Sequence, residues 1–418
     1  MRAGSGLAGT SLGAGLLTTY VPAILLVSPW AIALAVLYFV VIFVGNGIPV
    51  VLAYQMPELT VGEVGDPRRP HRLSVIVPAR NEERDLARCL DDLRTQDHAA
   101  RGGSVEVIVV DGGSTDRTWS VATEHPLRPV TIHEPPLPAG WVGKSWACHI
   151  GQQHATGDLL LFLDADTRLA PPTLRAAAWE QERRGVEMVT FASRVVMDSF
   201  WERVVLPLYV QLVLLYFVTP HVNRRTSKRA MANGQFLLMT REGYDRCGGH
   251  ERIRGDVLED VRLAQEVKRS GGAIWVCWAP DLLTTRMYEG PREMYEGLSK
   301  NLHGTHFSAV RQVGFLVAVF GLFWSPFLVI AVALLAGGAL PWLTVGLSLV
   351  GLTVAKQVGY QHALRAPLRY GLLYPLACLF YFAMLLRNLR HGLSGGMMPW
   401  KGRSYSMNGS PPGQAPRP

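Results

Sequence analysis

The chain has 418 residues, of which 49% are hydrophobic and 18% charged, with a formal charge of +8 and a positive mean hydropathy. That balance is too apolar for an ordinary soluble enzyme and too charged for a protein lying wholly in a membrane, so a part-globular, part-embedded chain is expected. Basic character suits contact with anionic lipid and anionic ligands, and without a basic tract interleaved with aromatics no nucleic-acid partner is expected. The five cysteines, Cys89, Cys148, Cys247, Cys277 and Cys378, are scattered and lack CxxC spacing, which fits reduced thiols and speaks against a zinc site or a disulfide framework.

In chain order, Leu12 to Val27 is a short apolar stretch, and Trp30 to Tyr54 runs without a charged side chain for about the length of a bilayer span. The stretch is too long, and lacks a small-residue cleavage site, for a removable signal peptide, so residues 1–66 are expected to be a membrane anchor. From 67 to 305 short β-rich runs alternate with amphipathic stretches, which predicts an α/β domain on a largely parallel sheet. The runs are Leu73 to Pro78, Val105 to Asp111, Val130 to His133, Leu159 to Asp164, Glu187 to Ala192, Phe236 to Met239 and Ala273 to Cys277.

Ligands of such sheets gather beyond the carboxyl ends of the strands. Polar signals fall there: Pro78-Ala-Arg80-Asn81-Glu82-Glu83, Asp111-Gly-Gly-Ser114-Thr115-Asp116, and Asp164-Ala-Asp166. Any one can be a turn with a helix cap, as Ser114 and Thr115 can. Three strands ending in acids or amides exceed what a structural sheet needs. Asp164 and Asp166 in particular form a hard-oxygen pair suited to Mg²⁺ or Mn²⁺ and to a diphosphate held by that ion. Further on, Glu259 and Asp260 open an amphipathic helix, Val257 to Ser270; they can complement its positive end, worth about 0.3–1 kcal/mol, or take part in chemistry. The apolar stretch Trp201 to Val218 is expected to lie in a membrane face, with a buried core helix as the alternative. Three apolar segments follow, Val313 to Leu335, Leu340 to Val354 and Tyr370 to Leu386, assigned to membrane segments within 306–390. Basic flanks on all of them conflict with three full crossings, so one is expected to be re-entrant or interfacial, the middle one being shortest. Residues 391–418 are expected to be a cytoplasmic tail, disordered from Ser404.

The motifs Val-Ile-Val-Pro-Ala-Arg-Asn-Glu, Val-Val-Asp-Gly-Gly-Ser-Thr-Asp, Gly143-Lys144, Leu-Asp-Ala-Asp and Leu258-Glu259-Asp260, in that order over Arg72 to Lys300, resemble those of the GT-A-fold (Rossmann-like) family 2 glycosyltransferases. Gly140-Trp141-Val-Gly-Lys144-Ser-Trp146, Ala232-Asn-Gly-Gln235 and Trp400-Lys401-Gly402-Arg403 are most similar to membrane-bound members that glycosylate carotenoids, hopanoids or related isoprenoid lipids. The resemblance implies that Pro78, Arg80, Glu82, Asp111, Lys144 and Asp164 contact a nucleotide sugar, a UDP-sugar before others, and that Asp164 and Asp166 hold the cation. It also implies that Asp260, with Glu259 beside it, performs the catalysis. Trp141, Trp146, Gln235 and Lys300 are candidate contacts for the acceptor or diphosphate, although the tryptophans can equally be interface anchors. His250 is read as a histidine satisfied by backbone, with metal or diphosphate binding as the alternative.

Two departures stand out. Many relatives carry Asp-Asp-Gly-Ser where this chain has Asp111-Gly112-Gly113-Ser114, which removes a carboxylate that can read the base. The Gln-x-x-Arg-Trp motif of polymer-extruding synthases is also missing from Gly297 to His303. The expected protein is therefore a cytoplasmic-membrane, multi-pass, metal-dependent inverting transferase, its catalytic domain facing the cytoplasm, acting on a membrane lipid. Polyprenyl phosphate is the alternative acceptor, and an inactive nucleotide-sugar-binding protein the alternative class. A haloacid-dehalogenase-type phosphatase fits poorly, because Arg168 occupies the position where that motif places Thr, and no G-x-G-x-x-G supports a dinucleotide enzyme.

Overall fold

The computed structural model describes residues 29–217, 221–304, 313–314, 317, 320–321, 323–335, 340–393, 397–400 and 403–406; Leu12 to Val27 lies outside them. The strands are β1 (Arg72–Ala79), β2 (Ser104–Asp111), β3 (Val130–His133), β4 (Leu159–Leu163), β5 (Thr167–Leu169), β6 (Met188–Ala192), β7 (Arg194–Val195), β8 (Phe236–Thr240), β9 (Ile274–Trp278) and β10 (Leu283–Thr285). The helices are α1 (Pro29–Tyr54), α2 (Leu86–Arg94), α3 (Thr118–Glu124), α4 (Gly143–His154), α5 (Thr173–Arg184), α6 (Phe200–Phe217), α7 (Arg241–Cys247), α8 (Gly249–Arg252), α9 (Glu259–Arg269), α10 (Pro291–Gly304), α11 (Ser325–Leu335), α12 (Leu340–Ala363) and α13 (Tyr374–Leu393).

Seven strands form one sheet in the order β3-β2-β1-β4-β8-β6-β9. Every β-rich run of the sequence falls on one of them. The sheet is largely parallel, as expected, yet mixed, because β8 runs antiparallel to both β4 and β6. A run of buried apolar residues has no direction written into it, so either orientation satisfies its burial. The reversal has a consequence: Phe236 pairs with Leu163, which brings the residues just before β8 to the carboxyl edge of the sheet.

Successive side chains of a strand face opposite sides, and here they enter two cores. Leu73, Val75, Val77, Leu159, Leu161 and Leu163 pack with Leu86 and Leu90 of α2 and with Leu174 of α5. Ile76, Leu160 and Phe162 pack with Cys148 of α4, Tyr244 of α7, and Leu263 and Val267 of α9. Helix α4 lies especially close to the sheet. A Cβ on Gly151 would sit 2.4 Å from Cγ2 of Ile76, so only glycine permits this approach. All five cysteines are buried and unbridged.

A third core joins α6, α10 and α13, with Val205, Leu206, Met294, Leu298, Ala377 and Tyr381 among its members. Helix α6 is therefore not the membrane-lying helix expected. Val205, Leu206 and Gln211 are fully buried, with α1 and α13 as neighbours; its sequence lacks charge because protein, not lipid, covers most of it. The middle apolar segment is also longer than expected. Helix α12 has 24 residues and continues past Lys356, whose Nζ lies 4.6 Å from the centroid of the Phe323 ring. Among the described residues, Trp342–Ala363 and Leu368–Arg390 are long and apolar enough to cross a membrane. Within the tail, β11 (Met397–Trp400) and β12 (Arg403–Ser406) pair antiparallel, so the disorder expected from Ser404 does not hold as far as Ser406.

Candidate active site

The chain steps from β1 outward to β2 and β3, then returns to the other side of β1 for β4. The carboxyl ends of β1 and β4 thus flank a topological switch point, where a crevice opens. Asp164 follows β4 directly and begins a turn in which the Thr167 N–H donates to its carbonyl, while its own N–H donates to the Gln235 carbonyl at 3.1 Å. The first turn of α4 supplies Lys144. Its Nζ lies 2.6 Å from Asp164 Oδ1, 2.8 Å from Glu259 Oε1, and donates to the Gly234 carbonyl at 3.2 Å. A cation in the first turn of a helix works against the helix dipole, so these carboxylates define its place. Burial opposes the Lys144 charge, but Asp164 and Glu259 overcome it and hold the ammonium pKa well above its ordinary value.

Asp260 is treated differently from its neighbour. Its Oδ2 accepts the Gly234 N–H at 2.8 Å and its Oδ1 the Val261 N–H at 2.8 Å. Burial, and then the adjacent Glu259 charge, push its carboxyl up to about 7, against the help of Lys144 and both backbone donors. A carboxylate poised there can take up a proton near neutral pH. Gly234 is the hub of the arrangement, with its carbonyl on Lys144 and its N–H on Asp260. A Cβ there would lie 3.0 Å from Asp260 Oδ2 and 3.2 Å from Lys144 Nζ. Sequence reasoning passed over Gly234; the Asn-Gly turn ahead of a strand was its signal.

Gln235 serves the scaffold. Its Oε1 accepts from Ser193 Oγ at 2.6 Å, Asn233 Nδ2 at 3.2 Å and Thr285 Oγ1 at 3.2 Å. His250 is buried in α8, its Nδ1 3.0 Å from the Tyr244 hydroxyl and its ring edge-on to Phe162. Burial drives its pKa down to about 3, so it stays neutral, packed beneath the site rather than in it.

The other sequence-predicted residues line the β1–β2 side of the crevice. Pro78 and Ala79 end β1 in register with Val110 and Asp111, and Arg80 Nη1 donates to the Gly112 carbonyl. The Glu82 N–H donates to Thr118 Oγ1 at 2.7 Å. Asp111 is 3% exposed, accepts the Ser114 N–H, and lies 3.4 Å from His133 Nδ1; much of its capacity goes to shaping the loop. Trp141 and Trp146 stack edge to face at 4.9 Å, and the Trp146 N–H donates to the Pro135 carbonyl at 3.0 Å. They brace the crevice wall in this structure. The side chain of Lys300, in α10, lies outside the described residues.

Asp164 and Asp166 supply carboxylate oxygens, the donors that Mg²⁺ and Mn²⁺ take. No group of three His, Cys, Asp or Glu side chains converges for a metal among the described residues.

The mixed α/β sheet thus carries a carboxylate pair at its switch point and a second acidic pair across a lysine. The glycosyl transferase family 2 sequence model matches residues 74–248. Over 236 residues it is 28% identical to a 4,4'-diaponeurosporenoate glycosyltransferase of Staphylococcus haemolyticus, covering 55% of this chain and 60% of the relative. Over 346 residues it is 27% identical to the enzyme of that name from Staphylococcus aureus (strain MRSA252), covering 80% of this chain and 88% of the relative. Among solved structures it is similar to a mannosyltransferase from Pyrobaculum calidifontis in complex with GDP-Man and Mn²⁺, at 18% identity and a TM-score of 0.48, covering 85% of this chain and 98% of that one.

Proposed function

We propose that this protein moves one sugar, with inversion, from a nucleoside-diphosphate sugar to a hydroxyl or carboxyl group of a membrane isoprenoid lipid. The observation that carries the reading is the cluster in which one lysine joins Asp164 to Glu259 and one glycine joins that lysine to Asp260. Breaking the glycosidic bond builds negative charge on the diphosphate. A divalent cation held by Asp164 and Asp166 would supply positive charge at that diphosphate. Lys144 adds a fixed ammonium beside the same oxygens, and Glu259 orients it. Asp260, ionised above about pH 7, accepts the proton of an attacking acceptor hydroxyl, which approaches the anomeric carbon from the face opposite the leaving group.

The lipid acceptor follows from two supports. The relatives named above carry a carotenoid acid in their name. The helical layer also presents exposed apolar side chains, including Val36, Leu37, Phe43, Val332, Leu335, Leu347 and Leu379, a surface suited to a bilayer.

The test is transfer from a panel of radiolabelled nucleotide sugars to total membrane lipid, with wild type and Asp164→Ala purified in detergent with Mg²⁺ or Mn²⁺. Label in an organic-extractable product with wild type alone is expected, and its stability to alkali separates ester from ether-like linkage. No transfer from any donor by a protein that still binds nucleotide overturns the transferase reading and leaves a nucleotide-sugar-binding membrane protein.

A further inference from the structure

Resting on the donor site just proposed, we propose that Lys144 is the built-in counter-cation of Asp164 before a diphosphate arrives, so that a divalent cation binds poorly alone and cooperatively with the nucleotide. The shortest of the three Lys144 contacts carries the inference: its Nζ lies 2.6 Å from Asp164 Oδ1. Asp164 is also a candidate ligand of the cation, so ammonium and divalent ion claim one carboxylate. Like charges sharing an acceptor at close range oppose each other. The Lys144 and Asp164 side chains are only 32% and 28% exposed, so water and salt screen that opposition incompletely.

Two features let the lysine give up Asp164 without leaving the site. Its other partners, Glu259 Oε1 at 2.8 Å and the Gly234 carbonyl at 3.2 Å, are not assigned to the cation and keep Nζ anchored. A lysine suits this exchange, because its ammonium is a compact charge with three donors on a flexible stem. Secondly, Lys144 stands in the first turn of α4, where the helix dipole disfavours a cation and favours an anion. Its own helix therefore does nothing to hold it against Asp164. A diphosphate supplies oxygens to both positive groups, and the negative charge placed between them offsets their repulsion. By linkage, the divalent cation and the nucleotide then strengthen each other's binding by the same factor.

The experiment is Mn²⁺ binding to the full-length protein in detergent, read from the electron paramagnetic resonance signal of unbound Mn²⁺, so that no turnover is needed. Without nucleotide, Lys144→Met, which keeps the side chain's bulk and removes its charge, is expected to bind Mn²⁺ at least about tenfold more tightly than wild type. Lys144→Arg, which keeps the charge, is expected to stay as weak as wild type, and this contrast separates charge from damage to the fold. The gain is expected to vanish in Lys144→Met/Asp164→Ala, which should bind no more tightly than Asp164→Ala. With UDP or GDP added, and the Mn²⁺ held by nucleotide in solution subtracted, wild type is expected to gain at least about tenfold and Lys144→Met much less. If Lys144→Met binds Mn²⁺ no more tightly than wild type, or Lys144→Arg gains as much as Lys144→Met, the inference fails while the transferase reading stands. Equal Mn²⁺ affinity of wild type with and without bound nucleotide overturns it too. If wild type takes up neither UDP nor GDP with Mn²⁺, the donor site itself is refuted and the coupling with it.

Discussion

At the scale of single residues, Asp260 carries a conflict between stability and chemistry. Its folded pKa of about 7 is above that of an unfolded carboxylate, so the folded state binds the extra proton between roughly pH 4 and 7. Stability from this group is therefore present at low pH and is lost as pH rises through that window. Asp260→Asn is expected to melt at a higher temperature than wild type at pH 8 and to match it near pH 4. In the same variant, transfer to an alcohol should fall about 10²- to 10⁴-fold, the usual contribution of a general base, while transfer to an acceptor already anionic is spared. For wild type with an alcohol acceptor, kcat/KM is expected to drop about tenfold per unit below pH 7 and to level off above it; a flat profile from pH 5 to 9 would remove Asp260 from the role. Gly234 makes a sharper geometric case. Adding one methyl there crowds both Asp260 and Lys144 without disturbing either core, so Gly234→Ala should lower kcat about 10- to 100-fold while leaving the melting temperature nearly unchanged. A rate equal to wild type would detach Gly234 from the site.

At the scale of elements, the strands were legible because burial on both faces writes continuous apolar runs, and their ends because acids and amides interrupt those runs. The direction of β8 was not legible, since no feature of Phe236 to Thr240 distinguishes its two orientations, and with it went the position of Gly234. Lys144, Asp164, Glu259 and Asp260 could be singled out from sequence, but their assembly across three elements belongs to tertiary structure. The packing has its own tests. Leu161, fully buried in the centre of the sheet, should cost about 2–5 kcal/mol when cut to alanine. Gly151→Ala, which drives a methyl into the β-branched Ile76, should cost about 1–3 kcal/mol by overpacking. Both are read as shifts in denaturant midpoint; a neutral Gly151→Ala would mean that α4 can lift from the sheet, and with it Lys144 from Asp164.

At the scale of the whole molecule, the α/β domain and the helical layer are joined by specific contacts rather than by a loose tether. Glu202, fully buried at the start of α6, accepts the Asp198 and Ser199 N–H groups at 2.6 and 2.7 Å and pairs with Arg286, which directly follows β10, at 3.3 Å. At the far end of α12, Arg365 reaches Asp281 at 2.5 Å and Glu58 at 3.3 Å. The second joint is part-exposed and worth little. The first is different, because Glu202 is itself fully buried and accepts from two backbone N–H groups and Arg286, so Glu202→Ala is expected to cost about 1–3 kcal/mol in all. The layer so joined leaves Leu335 at 88%, Val332 at 63% and Leu37 at 59% exposed, which is costly in water and favourable in a hydrocarbon core. Arg365 and Arg369, between its two long helices, are residues that the positive-inside rule favours on the cytoplasmic side. The protein is accordingly expected to remain in carbonate-washed membranes and to need detergent for release. A protease should cut residues 67–305 in inverted vesicles but spare them in right-side-out ones. Release by carbonate alone would make the apolar belt a protein interface instead of a lipid one, and cleavage only in right-side-out vesicles would set the crevice on the side of the membrane away from cytosolic nucleotide sugars.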